Sequence, residues 1–231
     1  MNSHHLLPLS IDPLTAAQPE RPEQPGGLHG QVWLSVQTLQ AQRLIHGRQA
    51  TAGKPIIVGL IRYADRLRIL WLAARRDDPY ADWWLIQVHE AIEAASASIQ
   101  REQERLDRQL GDLNGMEVNV AVSTRPYRVR LQFANPYAYR GAQVLSAYDR
   151  LICTALTARH IGLLDGASYR QIQEAGARRL RALFLIPQGY RLLKIDRDMV
   201  RLNKGRSSEA RQRMGTVPED ILNGERQAPF A

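Results

Sequence analysis

The sequence predicts an α+β fold, mostly α-helical, in which a short strand leads two helices and is followed by a long acidic helix, a β-hairpin and further C-terminal helices. Three observations carry this. Apolar and polar residues alternate over residues 31–37 and again over 118–133, the period of a half-buried strand. Elsewhere apolar residues recur three, four or seven apart, the spacing of a helix with one buried face. At 231 residues with 44% hydrophobic content, the chain can form one large domain or two small ones around a core.

Residues 1–29 hold Pro8, Pro13, Pro19, Pro22 and Pro25 before Gly26 and Gly27. Prolines pin φ and remove backbone donors, so a disordered arm is expected here. Its acids, Asp12, Glu20 and Glu23 against Arg21, suit DNA poorly; a docked or partner-binding tail is the alternative. A single domain is expected over 30–195. It opens on a strand in which Val32, Leu34 and Val36 alternate with Gln31, Trp33, Ser35 and Gln37. Thr38 is placed to cap a helix carrying Leu39, Leu44 and Ile45, because its hydroxyl can accept from the free amides of a first turn. Gly47, Gly53 and Pro55 interrupt that helix, and a second is expected from about Ile56 to Arg76. Ile57, Leu60, Ile61, Ala64, Leu67 and Trp71 form its buried stripe.

Asp78-Pro79 marks the start of a long helix: the carboxylate caps, and proline costs little in a first turn. Leu85, Val88, Ile92, Ala95, Ile99, Leu106 and Leu110 give it a coiled-coil-like seam up to Gly111. Between Asp77 and Gly115 lie nine acids and three arginines, so its outer face turns to water or to a second subunit. Val118, Val120 and Val122, then Val129, Leu131 and Phe133, alternate with polar residues around Arg125-Pro126. That pattern predicts a β-hairpin over 117–133. Asn135-Pro136 ends it and opens a helix with Val144, Leu145, Tyr148, Leu151, Ile152, Ala155 and Leu156 inward. After Gly162 and Gly166 a basic helix covers about Ser168 to Leu185. The 196–231 tail is polar and basic, and is expected to be partly helical, then disordered.

Charge narrows the function classes. The net charge is +8 with a pI near 10, which favours polyanionic partners. Gln31–Arg76 holds eight cations (Arg43, Arg48, Lys54, Arg62, Arg66, Arg68, Arg75 and Arg76) against Asp65 alone. A second concentration lies in residues 116–195, with twelve cations against four acids. Charge by itself therefore nominates no single segment. Cys153 is the only cysteine, so no intramolecular disulfide can form, which fits a cytoplasmic location. No apolar run reaches the ~18 residues of a membrane span, and no secretory signal is expected.

Enzyme chemistry finds no foothold. There is no Walker loop, Rossmann fingerprint, nucleophile elbow or zinc-protease motif. The six histidines are scattered, so no metal site, cofactor or small-molecule substrate is expected. His89, Glu90 and Glu93 read as ordinary helix surface. Asp77-Asp78 reads as a cap, and Cys153 as a buried thiol in the apolar rhythm of its helix.

A DNA-binding reading fits better. In a ribbon-helix-helix module two chains pair one strand each, and the antiparallel ribbon enters the major groove with alternate side chains at base edges. Over 31–76 the polar face of such a strand would be Gln31, Ser35 and Gln37, with Trp33 the one bulky member. Glutamine can pair bidentately with adenine, and serine with any base. Lys54, at the expected start of the second helix, would meet a phosphate. Arg62 and Arg66, one turn apart, either extend that contact or form a solvated stripe. A rival ribbon is the second hairpin strand, with Arg128, Arg130 and Gln132 outward.

Five runs also resemble a known family: "VQTLQAQRLIHGR", "GLIRYADRLRILWLAARRDDPYADWWLIQVHEAIE", "LQFANPYAYRGAQVLSAYD", "LTARHIGLLD" and "MGTVPEDILNGERQAPFA". They resemble proteins carried by integrating conjugative elements and related genomic islands, a group similar, more distantly, to the AcaB-like transcriptional activators of conjugative plasmids. The resemblance covers about residues 31–231. It implies membership of a conjugative-element gene cluster, and, through the AcaB-like relatives, a ribbon-helix-helix core with extra helices working as a dimer.

The expected function is thus a DNA-binding transcriptional regulator of a mobile element. Its partners would be double-stranded DNA and a second copy or more of itself, with no membrane and no catalysis. The alternative is a non-catalytic accessory protein of the transfer machinery, with the 79–110 helix as its working surface.

Overall fold

The long helices other than the second begin where a short polar side chain takes up the free amides of the first turn. In the computed structural model, which describes residues 31–113 and 115–230, Thr38 Oγ1 accepts from Ala41 N at 3.2 Å to open α1, Leu39–His46. Asp78 Oδ1 accepts from Tyr80 N and Ala81 N at 2.9 and 3.1 Å to open α3, Pro79–Gly111. Asn135 opens α4, Pro136–His160, and Asp165 opens α5, Gly166–Leu185, in the same way. Satisfying these amides removes the main cost of ending a helix inside a packed protein.

Helix α2, Leu60–Ala74, starts later than the expected Ile56. The residues before it fold into a small hairpin instead, with bridges Arg48↔Ile57 and Thr51↔Lys54. Gly47 and Gly59 close its base. A Cβ on Gly47, whose φ is +69°, would lie 2.2 Å from Ile57 O, and one on Gly59 would lie 2.4 Å from Gly47 N. Only glycine fits either position, and the helix begins as soon as the hairpin ends.

Helix α4 is the centre of the fold. Tyr137, Ala138, Ala142, Leu145, Tyr148, Ile152, Ala155 and Ala158 are almost wholly buried, so it is surrounded rather than amphipathic. The seam of α3 (Leu85, Val88, Ile92, Ala95, Ile99 and Leu106) is buried within the chain, and α4 is its principal neighbour. The coiled-coil-like pattern therefore has an intramolecular partner in α4.

Strand β1, Val32–Val36, pairs antiparallel with β2, Tyr127–Leu131, through five residue pairs from Val32↔Leu131 to Val36↔Tyr127. This corrects two expectations. Residues 118–122 are not a strand, so there is no 117–133 hairpin. Their backbone is held by side chains instead: Ala121 N donates to Thr157 Oγ1 (2.9 Å) and the nearby Ser123 N to Gln37 Oε1 (3.0 Å). The strand-helix-helix order over 31–76 is present, but the partner that completes the ribbon is β2 of the same chain, not the equivalent strand of a second copy.

The C-terminal segment differs too. It forms three short helices, α6 (Arg197–Arg201), α7 (Ser207–Met214) and α8 (Glu219–Leu222). Val200, Ala210, Met214, Val217, Ile221 and Ala228 are buried in the common core. The guanidinium of Arg197, 8% exposed, bridges Asp77 and Asp82, and Trp71 Nε1 donates to Phe230 O at 2.6 Å. An ordered, docked segment replaces the expected disorder. The expected N-terminal arm, residues 1–29, lies outside the described residues.

Candidate nucleic-acid interface

The β1–β2 ribbon has one face in the core and one in water. Directly opposed residues of an antiparallel pair share a face. Leu34 is buried and lies opposite the half-buried Val129, and Val36 opposite Tyr127. The other face carries Trp33 opposite Arg130 and Ser35 opposite Arg128, all four exposed. The Arg128 guanidinium lies over the Trp33 ring, 5.3 Å from its centroid, close enough for a cation–π contact. That contact gives the bulky Trp33 a role on a polar face: it supports and orients a cation. Gln31 and Gln132, just beyond the paired residues, are exposed as well.

The ribbon is fixed to the body by a buried carboxylate that the sequence did not single out. Asp149 of α4, 3% exposed, accepts from Gln37 N (2.6 Å), Thr38 N (2.9 Å) and Thr38 Oγ1 (2.6 Å). One anion thus holds the β1–α1 junction in place with charge-assisted bonds. Its only sequence signal is an acid inside an apolar helical stripe. Gln37 belongs to this anchor, since its side chain is engaged by Ser123 N; it is not a free reader beside Ser35.

At the other end of the ribbon, Tyr127 Oη and His46 Nε2 are 2.9 Å apart, tying β2 to the last turn of α1. Past that turn Arg43, Arg48 and Arg181 line a groove of about 440 Å³ between α1, the small hairpin and α5. Lys54 sits exposed in the tight turn of the small hairpin, not at a helix N-terminus, because α2 begins only at Leu60. Arg62 and Arg66 do not join the ribbon: they line a separate cleft with Arg191 and Gln188. The two rival assignments made from sequence, Gln31/Ser35 and Arg128/Arg130/Gln132, therefore converge on one surface.

Other candidates resolve into structure. Burial pushes the Cys153 thiol up to about 11, which keeps it protonated. His89 and Glu93 both contact Arg140, and Glu90 pairs with Arg226. Asp77 holds Arg197 while Asp78 caps α3 and accepts from Tyr190 Oη at 2.8 Å. Among the described residues no group of three or more His, Cys, Asp or Glu could hold a metal ion. No described helix is long and apolar enough to cross a membrane.

Comparison with known proteins adds the family. A family model described as "Transcriptional regulator AcaB" matches residues 24–231. Among solved structures, the fold is similar to the crystal structure of selenomethionine-containing AcaB from uropathogenic E. coli, with a TM-score of 0.59 and 17% identity over 85% of this chain and 95% of that one. At that identity the likeness concerns the fold. No curated protein matches.

Proposed function

The chain belongs to the AcaB family of transcriptional regulators, and from that premise we propose that it binds double-stranded DNA with the exposed face of the β1–β2 ribbon. The observation that carries this is the pairing of Trp33 and Ser35 with Arg130 and Arg128 on one exposed surface. A two-stranded ribbon fits the major groove, where arginine reads guanine bidentately and serine can bond to any base. Gln31 and Gln132 extend the reading face by one residue at that end. Arg43, Arg48 and Lys54, on α1 and the small hairpin, supply phosphate contacts that set register without reading sequence. Because β2 completes the ribbon, one chain carries a whole reading element. Two chains acting as a homodimer would read two half-sites and so multiply specificity.

The resemblance of its sequence runs to proteins of integrating conjugative elements supports the promoters of such an element as the targets. The test is a gel shift at physiological salt with those promoter fragments against random DNA of equal length. The proposal expects preference for a promoter fragment, relaxed by Ser35→Ala and Arg130→Ala. Equal affinity for both DNAs would contradict it and favour an accessory role in transfer.

A further inference from the structure

A second basic site lies away from the ribbon. Between α2 and the 3-10 turn Ile186–Gly189 is a cleft of about 440 Å³ lined by Arg62, Asp65, Arg66, Ile69, Gln188 and Arg191. Three guanidiniums face one carboxylate there, and among the described residues none of the three arginines makes an ion pair. Arg66 Nη2 donates to Tyr190 O at 2.6 Å, while Arg191 Nη1 donates to Gln188 O (2.7 Å) and Tyr190 O (3.1 Å). These bonds fix two of the guanidiniums and leave other N–H groups free. The fourth donor is neutral: Gln188 Nε2 is buried and has no hydrogen-bond partner among the described residues. A buried amide left unpaired costs free energy.

We propose that this cleft binds a phosphate group. Planar guanidinium forks match the oxygens of a phosphate, and an uncharged amide beside them supplies a further donor to the same anion. Apart from Asp65 nothing in the lining would repel it, and Asp65 leaves the cleft with net positive charge. Burial, then the charges of Arg191 and Arg62, lower the basicity of Arg66, the direction expected where guanidiniums crowd together. A phosphorylated small molecule and a DNA backbone phosphate share this chemistry. The site does not depend on the ribbon reading.

The test is thermal unfolding and calorimetric titration of the full chain with inorganic pyrophosphate, against sodium chloride at matched ionic strength. Saturable binding with a rise in Tm is expected. Arg62→Ala should weaken it about tenfold, the scale of one charge-assisted hydrogen bond, and Gln188→Leu about threefold. Neither variant should unfold the protein, because neither removed group has a hydrogen-bond or ion-pair partner among the described residues. A Tm response no larger than the chloride control, or pyrophosphate binding that survives both substitutions, would overturn the proposal. Duplex DNA then separates the sources. Displacement of pyrophosphate by DNA assigns the phosphate to a nucleic-acid backbone; simultaneous binding assigns it to a small ligand. Loss of pyrophosphate binding in Arg62→Ala with DNA affinity intact would leave the ribbon proposal untouched.

Discussion

Two residues carry opposite duties at the ribbon. Arg128 reaches outward, and the face of Trp33 beneath it limits the volume it can explore; such a contact is worth about 0.5–1 kcal/mol at an exposed site. Trp33→Ala should therefore leave the fold intact while weakening DNA binding by a few-fold through the loss of a preset guanidinium, which fluorescence anisotropy would measure. Asp149 reaches inward and takes three hydrogen bonds from the β1–α1 junction. Asp149→Ala strands two backbone amides and a hydroxyl, so urea unfolding should show a loss of about 3 kcal/mol. Trp33 was legible from alternation alone as an outward residue, although a lone strand gives no reason for its type. Asp149 was not legible, because an acid in an apolar stripe shows its purpose only when the capped junction arrives from more than a hundred residues away.

Among the elements, those that announce their own ends could be read directly. Thr38, Asp78-Pro79 and Asn135-Pro136 are local signals, and α1, α3 and α4 start at them. Strand pairing is not local. Both 118–122 and β2 have period-two patterns, but β2 has a partner in β1, while side chains of Thr157 and Gln37 take the amide bonds near the other. The C-terminal helices have four to eight residues, too few for a 3.6 period to stand out from a polar background. Their docking rests on Arg197. Arg197→Ala would leave Asp82, 5% exposed, as a buried charge without its partner, and a loss of about 3 kcal/mol or more is expected in thermal or urea unfolding. At α5, the exposed Asp165 accepts from Ala167 N and Ser168 N, which holds its carboxyl below the usual range. Its contribution is complete above the unfolded pKa of about 4 and lost as pH falls through the folded value. Asp165→Asn keeps a capping oxygen without a titration, so the acid limb of its stability curve should be shallower than the wild type's.

On the scale of the whole molecule, the charge of +8 resolves into places with different tasks. Arg197 is buried, Arg140 and Arg226 pair with α3, and the ribbon, the α1–hairpin groove and the α2 cleft keep arginines that form no ion pair among the described residues. Composition pointed to a polyanion and could not say which arginines remain available, because that depends on pairing across the fold. Arg128 and Arg130 of the ribbon are the arginines proposed to meet DNA. The most direct measurement is the affinity for a preferred promoter fragment and for random DNA as a function of salt, in the wild type and in Arg128→Ala/Arg130→Ala. The double variant is expected to lose most of its preference between the two DNAs, and its log–log salt slope to fall by about one to two, as phosphate neutralisation is lost with base reading. A double variant that folds normally and keeps both the preference and the slope of the wild type would contradict it.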